Sequence, residues 1–276
     1  MLRAPANELS FGVRSRVAWS RGRPTLANEP KGELFAGGTG GAGDERAELA
    51  VRLRERFGLG ELFGRSTRRT YLANLDLLDC LGRFEATAIP PEGPDGVVRA
   101  VDVGSGDFHY ATALARWLAM GGERARRIVL RGLELDGHGI YADGHSRADH
   151  AKAHAALATW DRGHVQYEVA DFRTARLPEQ DFVSVLYPFV FAYPLLQWGL
   201  PLSQWRPAAL LERAAEVLRP GGILLIANQT DAEAQKTAEL LARAPVARLE
   251  RASWASRLVP YSSATVDRVA SVWQRV

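Results

Sequence analysis

Cysteine is nearly missing from this sequence. The single thiol, Cys80, allows neither an internal disulfide nor a cysteine-based zinc cluster, so nothing here asks for an oxidising compartment. Long apolar runs are missing too. None approaches the roughly 18 residues of a membrane-spanning helix, and the opening MLRAPANELSFGVRSR lacks the uninterrupted apolar core of an export signal. A cytoplasmic protein without a membrane partner is the expectation. Lysine occurs only at Lys31, Lys152 and Lys236, so almost every basic group is an arginine. Neither sign of charge dominates: the net charge is +3, although residues 1–70 hold 13 Lys and Arg against 8 Asp and Glu. Basicity is thus confined to the front, too diffuse to make a phosphate-binding patch the first reading. What is present, 46% hydrophobic and 24% charged residues over 276 positions, is the composition of a folded globular chain rather than a disordered or fibrous one.

Three regions follow from the patterning. Residues 1–43 show no sustained period and carry six glycines between Lys31 and Gly43, which reads as a flexible arm; no Gly-Lys-Ser/Thr ending makes it a phosphate loop. Residues 44–96 form a small helical cap and linker. Leu49, Leu53 and Phe57 give one helical face up to Gly58, and Leu72, Leu75, Leu78 and Leu81 a second, from about Ser66 to Gly82. The turn-rich IPPEGPDG at 89–96 then closes the region.

From residue 97 to 276, apolar runs alternate with amphipathic helices, the signature of a parallel sheet built from crossover units. Strands are expected at 97–103, 127–135, 165–169, 182–186 and 222–227, with helices at about 110–120, 147–160, 207–218 and 232–244. The last two strands, 246–254 and 266–274, have no helix between them and should pair antiparallel at one sheet edge, around a turn near Tyr261. The expected fold is α/β, a seven-stranded, mostly parallel sheet with helices on both faces and a small N-terminal helical cap.

Candidate chemistry gathers at the carboxyl ends of these strands. The first ends in Asp102-Val103-Gly104-Ser105-Gly106 and runs into a helix, so the backbone can approach a ligand closely beside free helix N–H groups; an ordinary strand-to-helix turn would look the same. The second ends in Gly132-Leu133-Glu134-Leu135-Asp136, where a carboxylate can accept from ribose hydroxyls, and the third in Ala170-Asp171-Phe172. Taken in order, VDVGSG, GLELD, ADF, DFVSVLYPF and LRPGGILLIANQ resemble the class I S-adenosylmethionine-dependent methyltransferases over about residues 97–276. The resemblance implies a Rossmann-like fold, S-adenosyl-L-methionine as cofactor, and a methyl-transfer reaction. It assigns Asp102, Gly104 and Gly106 to the amino-acid end of the cofactor, Glu134 to the ribose, and Asp171 with Phe172 to the adenine. LRPGG is then the turn that leads into the fifth strand. Two departures stand out: Phe108 replaces a common third glycine, and Leu186-Tyr187-Pro188-Phe189 only partly matches the Asn/Asp-Pro-Pro-Tyr/Phe box of amino-group methyltransferases.

Methyl transfer asks mainly for alignment and exclusion of water, with a base only if the acceptor is protonated. His109, Tyr187 and His138 are the titratable groups that the topology puts near the strand ends. His109 and Tyr187 are the catalytic candidates, with helix capping and pocket lining as their other roles. Tyr187 can also offer its ring face to a sulfonium. Beyond it, residues 189–201 are aromatic and uncharged, with two prolines and a glycine that argue for a loop. Tyr187, Phe189, Tyr193 and Trp198 would wall an acceptor pocket suited to a small, partly apolar molecule. An RNA acceptor, served by the basic front, and a non-catalytic scaffold remain as alternatives. Within the cap, Arg68, Arg69 and Tyr71 are the side chains placed to reach the cofactor end. His150 and His154 stand four apart on a helix near Asp143, His145 and Asp149, but without an HExxH order, and no metal is assigned.

Overall fold

The computed structural model describes residues 3–35, 42–120, 125–259 and 267–276. The glycines at 37, 38, 40 and 41, the turn near Tyr261 and Val266 lie outside the described residues. Helices α1 (Arg3–Arg14), α2 (Ala42–Arg56), α3 (Gly60–Gly64), α4 (Arg68–Leu81) and α5 (Glu85–Ala88) precede the sheet. There follow β1 (Val97–Val103), α6 (Ala111–Met120), β2 (Arg127–Glu134), α7 (Arg147–Ala158), β3 (Gly163–Val169), β4 (Gln180–Leu186) and α8 (Ala192–Trp198). The chain ends with α9 (Pro207–Glu216), β5 (Leu218–Asn228), α10 (Asp231–Leu241), β6 (Val246–Ser253) and β7 (Val269–Arg275).

The strands form one sheet in the order β3-β2-β1-β4-β5-β7-β6. β7 runs antiparallel to both β5 and β6, and the other pairings are parallel. The expected terminal pair is therefore present, with β7 inserted between β5 and β6. Period-two alternation divides the apolar side chains between the faces. Val98, Ala100, Ile128, Leu130, Ile223 and Leu225 join the cluster with α4, α6 and α7. Val101, Val103, Val183, Val185, Leu224 and Ile226 join that of α9 and α10. Burial on both faces explains why these strands read as near-continuous apolar runs.

Helix starts are fixed by side chains that satisfy orphan N–H groups. Thr67 caps α4, Thr230 caps α10, and Ser146 with Asp149 forms a reciprocal capping box on α7. Three elements depart from expectation. The opening segment contains α1, which buries none of its residues and leaves Leu9 and Val13 exposed. Within 189–201 lies α8: Pro194 occupies its first turn, where no intrahelical N–H is needed, and Gly199 ends it at φ +91°. Leu218-Arg219-Pro220-Gly221-Gly222 belongs to β5 as an irregular beginning, where the register against β4 shifts between Gln180 and Phe182, rather than a separate turn.

Candidate functional site

The turn after β1 is built around backbone conformations that favour glycine. Gly104 sits at φ +74° and Gly106 at φ +58°, and a Cβ placed on either would meet nothing within 4 Å. The turn thus presents bare backbone to open space. Its underside is anchored by Leu133 O, which accepts from Gly104 N–H at 2.8 Å and Ser105 N–H at 3.2 Å. Phe108, in place of the third glycine, adopts φ +54°, yet its ring is turned into the core and fully buried. Gly132 makes the room: a Cβ there would lie 2.7 Å from Phe108 Cε1 and 2.9 Å from Ser105 Oγ. The strain of a left-handed phenylalanine, about 1–2 kcal/mol, is offset by burial of its ring. A glycine inside an apolar strand is the sequence signal for such a close approach.

Glu134 links the first two strand ends. Its Oε2 accepts from Gly106 N–H and its Oε1 from Asp136 N–H, each at 2.9 Å, which locks the carboxylate beside the glycine turn. Each oxygen keeps a further lone pair for a hydroxyl donor. Asp136, 4% exposed, is held by two arginines that sequence reasoning missed. Arg14 Nε lies 2.5 Å from Asp136 Oδ1, and Arg147 Nη1 lies 3.3 Å from Oδ2 and 3.9 Å from Glu134 Oε1. Arg14 comes from α1, 122 residues away in the chain, so local pattern carries no trace of this contact.

Asp102 lies beneath the turn rather than on its surface. It is fully buried, with Oδ1 accepting from Ser184 at 2.6 Å and Oδ2 from Tyr110 at 2.7 Å. Burial pushes its carboxyl up to about 7 against those hydrogen bonds. Its position is that of a support for the turn. His109 has Nδ1 2.5 Å from Asp107 Oδ1. Burial raises the Asp107 carboxyl, but the hydrogen bond from His109 and the nearby His109 and His154 charges outweigh it and bring it down to about 2. An ionised carboxylate only accepts, so His109 Nδ1 carries a proton toward Asp107, and Nε2 is the ring nitrogen left for another partner.

The cap meets this turn through Asn74, not through Arg68, Arg69 or Tyr71. Asn74 is fully buried; its Nδ2 donates to His109 O at 2.7 Å and its Oδ1 accepts from Ala113 N–H at 2.9 Å, which fastens α4 to the start of α6. A polar residue on the apolar face formed by Tyr71, Leu75 and Leu78 was the available signal. Arg68 instead donates to Pro30 O, and Tyr71 packs edge-on against Phe63.

Other expected residues stand elsewhere. The Asp171 carboxylate takes a bidentate grip from Arg173, with Nη2 2.6 Å from Oδ2, which fixes its orientation. Phe172 is 4% exposed and belongs to the α9–α10 core cluster, so no ring face is open for stacking. Tyr187 adopts φ +62°; burial pushes its hydroxyl up to about 12, and the Arg268 guanidinium lies 5.2 Å from its ring centroid. Phe189 and Trp198 come together at 6.1 Å, with Arg147 5.3 Å from the Trp198 ring, while Tyr193 is 71% exposed on the outer side of α8. His138 follows β2, with Nδ1 buried and without a hydrogen-bond partner.

α1 lies on α8. Asn7 Nδ2 donates to Leu196 O and Leu200 O at 2.9 and 3.0 Å, Ser203 donates to Glu8, and Arg14 donates to Gly199 O at 2.9 Å as well as to Asp136. The front of the chain thereby bridges the aromatic segment and the acid after β2. No helix among the described residues is long and apolar enough to cross a membrane.

Neither a protein-family model nor a curated protein matches the sequence. Solved structures do match in fold. Geranyl diphosphate C-methyltransferase from Streptomyces coelicolor A3(2), in complex with Mg2+, geranyl diphosphate and S-adenosyl-L-homocysteine, is 10% identical over 99% of each chain, with a TM-score of 0.50. A SAM-dependent methyltransferase from Aquifex aeolicus is 15% identical, over 74% of this chain and 93% of its own, with a TM-score of 0.49. The N-methyltransferase NodS from Bradyrhizobium japonicum WM9 is 12% identical, over 71% and 92%, with a TM-score of 0.44. The chain has the Rossmann-like fold of the class I S-adenosylmethionine-dependent methyltransferases.

Proposed function

We propose that this protein transfers a methyl group from S-adenosyl-L-methionine to a nucleophilic atom of a small, partly apolar molecule. The observation that carries the proposal is the bare turn at Gly104 and Gly106 with the Glu134 carboxylate locked beside it. Backbone without side chains admits the amino-acid end of the cofactor, and Glu134 keeps lone pairs for its ribose hydroxyls. When bound, S-adenosyl-L-methionine supplies an electrophilic methyl on a sulfonium. The protein has then to hold the acceptor in line, exclude water and take a proton where the acceptor carries one. His109 Nε2 is the proton acceptor in this reading, with Asp107 as its positioning residue. Tyr187 stays a neutral phenol at physiological pH and lines the site.

Two features support a small acceptor. α1 bridges the strand-end loops, so a compact molecule fits better under it than a folded polymer. Several arginines of the basic front also have partners within the chain: Arg14 on the buried Asp136, and, at the surface, Arg21 on Asp143 O and Arg56 on Glu85. A phosphate-binding surface needs such groups directed outward.

The deciding experiment is titration calorimetry with S-adenosylmethionine and S-adenosylhomocysteine on the wild type and on Glu134→Ala. Binding in the micromolar range, about −8 kcal/mol, that weakens tenfold or more in the variant is expected. A folded wild type that binds neither compound removes the assignment.

A further inference from the structure

His150 and His154 share helical spacing, but the structure sends them different ways. His154 is buried within electrostatic reach of Asp107 and His109. His150 turns toward the loop before α7, which a bridge between Ile140 and Ser146 closes and Gly144 bends at φ +79°. In that loop Asp143 Oδ1 accepts from His145 N–H at 3.0 Å, so the carboxylate is fixed and its other oxygen is directed at two imidazoles. Asp143 Oδ2 lies 2.9 Å from His150 Nε2 and 3.3 Å from His145 Nδ1, and the three atoms are all within 4.8 Å of one another. His145 Nδ1 is buried and makes no hydrogen bond.

We propose that Asp143, His145 and His150 form a binding site for a divalent transition cation of the zinc, cobalt and nickel class. Two imidazole nitrogens with one carboxylate oxygen suit such borderline cations; magnesium and calcium favour all-oxygen shells, and copper(I) favours sulfur. Tetrahedral zinc with bonds of about 2.0–2.1 Å holds its ligand atoms about 3.3 Å apart, close to the two distances from Asp143 Oδ2 already present. Water completes the shell on the open side, where Asp143 is exposed. The loop is held in this shape from outside as well, since Trp19 Nε1 donates to Gly144 O and Arg21 Nη1 to Asp143 O, each at 3.0 Å. A bound cation would replace the Asp143–His150 hydrogen bond with metal–ligand bonds and pin α7 to the loop that this N-terminal segment grips.

The test uses untagged full-length protein, titrated with Zn2+ by calorimetry and with Co2+ by visible absorption. One ion per chain is expected, with affinity reduced about a hundredfold or more in His145→Ala and in His150→Ala. His164→Ala, which removes an exposed histidine on β3, should bind as the wild type does. Circular dichroism establishes that each variant is folded. Absence of saturable binding by the wild type, or binding that survives in the His145→Ala/His150→Ala double variant, overturns the assignment.

Discussion

At the scale of single residues, two buried titratable groups give stability opposite dependences on pH. Asp102 titrates near 7 in the folded protein and near 4 in an unfolded chain. The folded state therefore holds its proton over that window while the unfolded state has released it. Stability from this group is complete below about pH 4 and is lost as the pH rises through 7. His154 is the reverse: burial lowers its imidazole to about 4 against an unfolded value near 6.5, so its contribution is complete above 6.5 and is lost as the pH falls through 4. In the wild type the two slopes oppose one another where the windows overlap, and single substitutions separate them. Urea unfolding from about pH 4 to pH 8 should show Asp102→Asn gaining on the wild type as the pH rises. His154→Gln should gain as it falls. Each gain is at most about 1.4 kcal/mol per pH unit. Parallel curves for Asp102→Asn and the wild type would mean that Asp102 is ionised throughout.

At the scale of elements, one amide adds a polar fastening to the apolar contact between α4 and α6. Asn74 donates to Thr70 O and His109 O and accepts from Ala113 N–H, an orphan donor in the first turn of α6. Asn74→Ala leaves Ala113 N–H and His109 O buried without that partner and should cost about 2–4 kcal/mol in urea unfolding. Hydrogen exchange at residues 109–113 should speed up before exchange in β1 does; a uniform change would show that the amide is not a local fastening. Such a contact marks the limit of what the sequence reveals. The strands of the sheet were legible to within a few residues because burial on both faces leaves unbroken apolar runs, and the glycine turn with Glu134 was legible because it is local to the strand ends. α1 escaped because it buries nothing, and α8 because Pro194 reads as a breaker until it is known to sit in a first turn. Asn74, Arg14 and Arg147 escaped because their roles depend on partners that only tertiary packing brings near. The pairing of Asp171 with Arg173 escaped for a related reason: a resemblance supplies positions, not the partner that the carboxylate takes two residues on.

At the scale of the whole molecule, the segment before residue 25 is attached to the sheet almost entirely by polar contacts. α1 buries no residue, and its ties are Asn7, Glu8 and Arg14 to the α8 region and Asp136, followed by Trp19 to Gly144 O and Arg21 N–H to Asp149. Apolar packing of the front begins at Leu26 and continues with Leu34 and Phe35, which lie against the main core cluster. Hydrophobic burial dominates folding stability, whereas exposed polar ties contribute little each. Deletion of residues 1–24 should therefore leave a cooperatively folded protein, destabilised by no more than about 2–3 kcal/mol. Asp136 keeps Arg147 as a partner in the truncated chain. Ligand access should change far more. With the bridge between the α8 region and Asp136 gone, S-adenosylhomocysteine should dissociate about tenfold faster in stopped-flow measurements, which corresponds to about 1.4 kcal/mol if association is unaltered. Hydrogen exchange at residues 192–205 should rise with it. An unchanged dissociation rate would place the ligand away from the α1–α8 contact, and with it the acceptor end of the site.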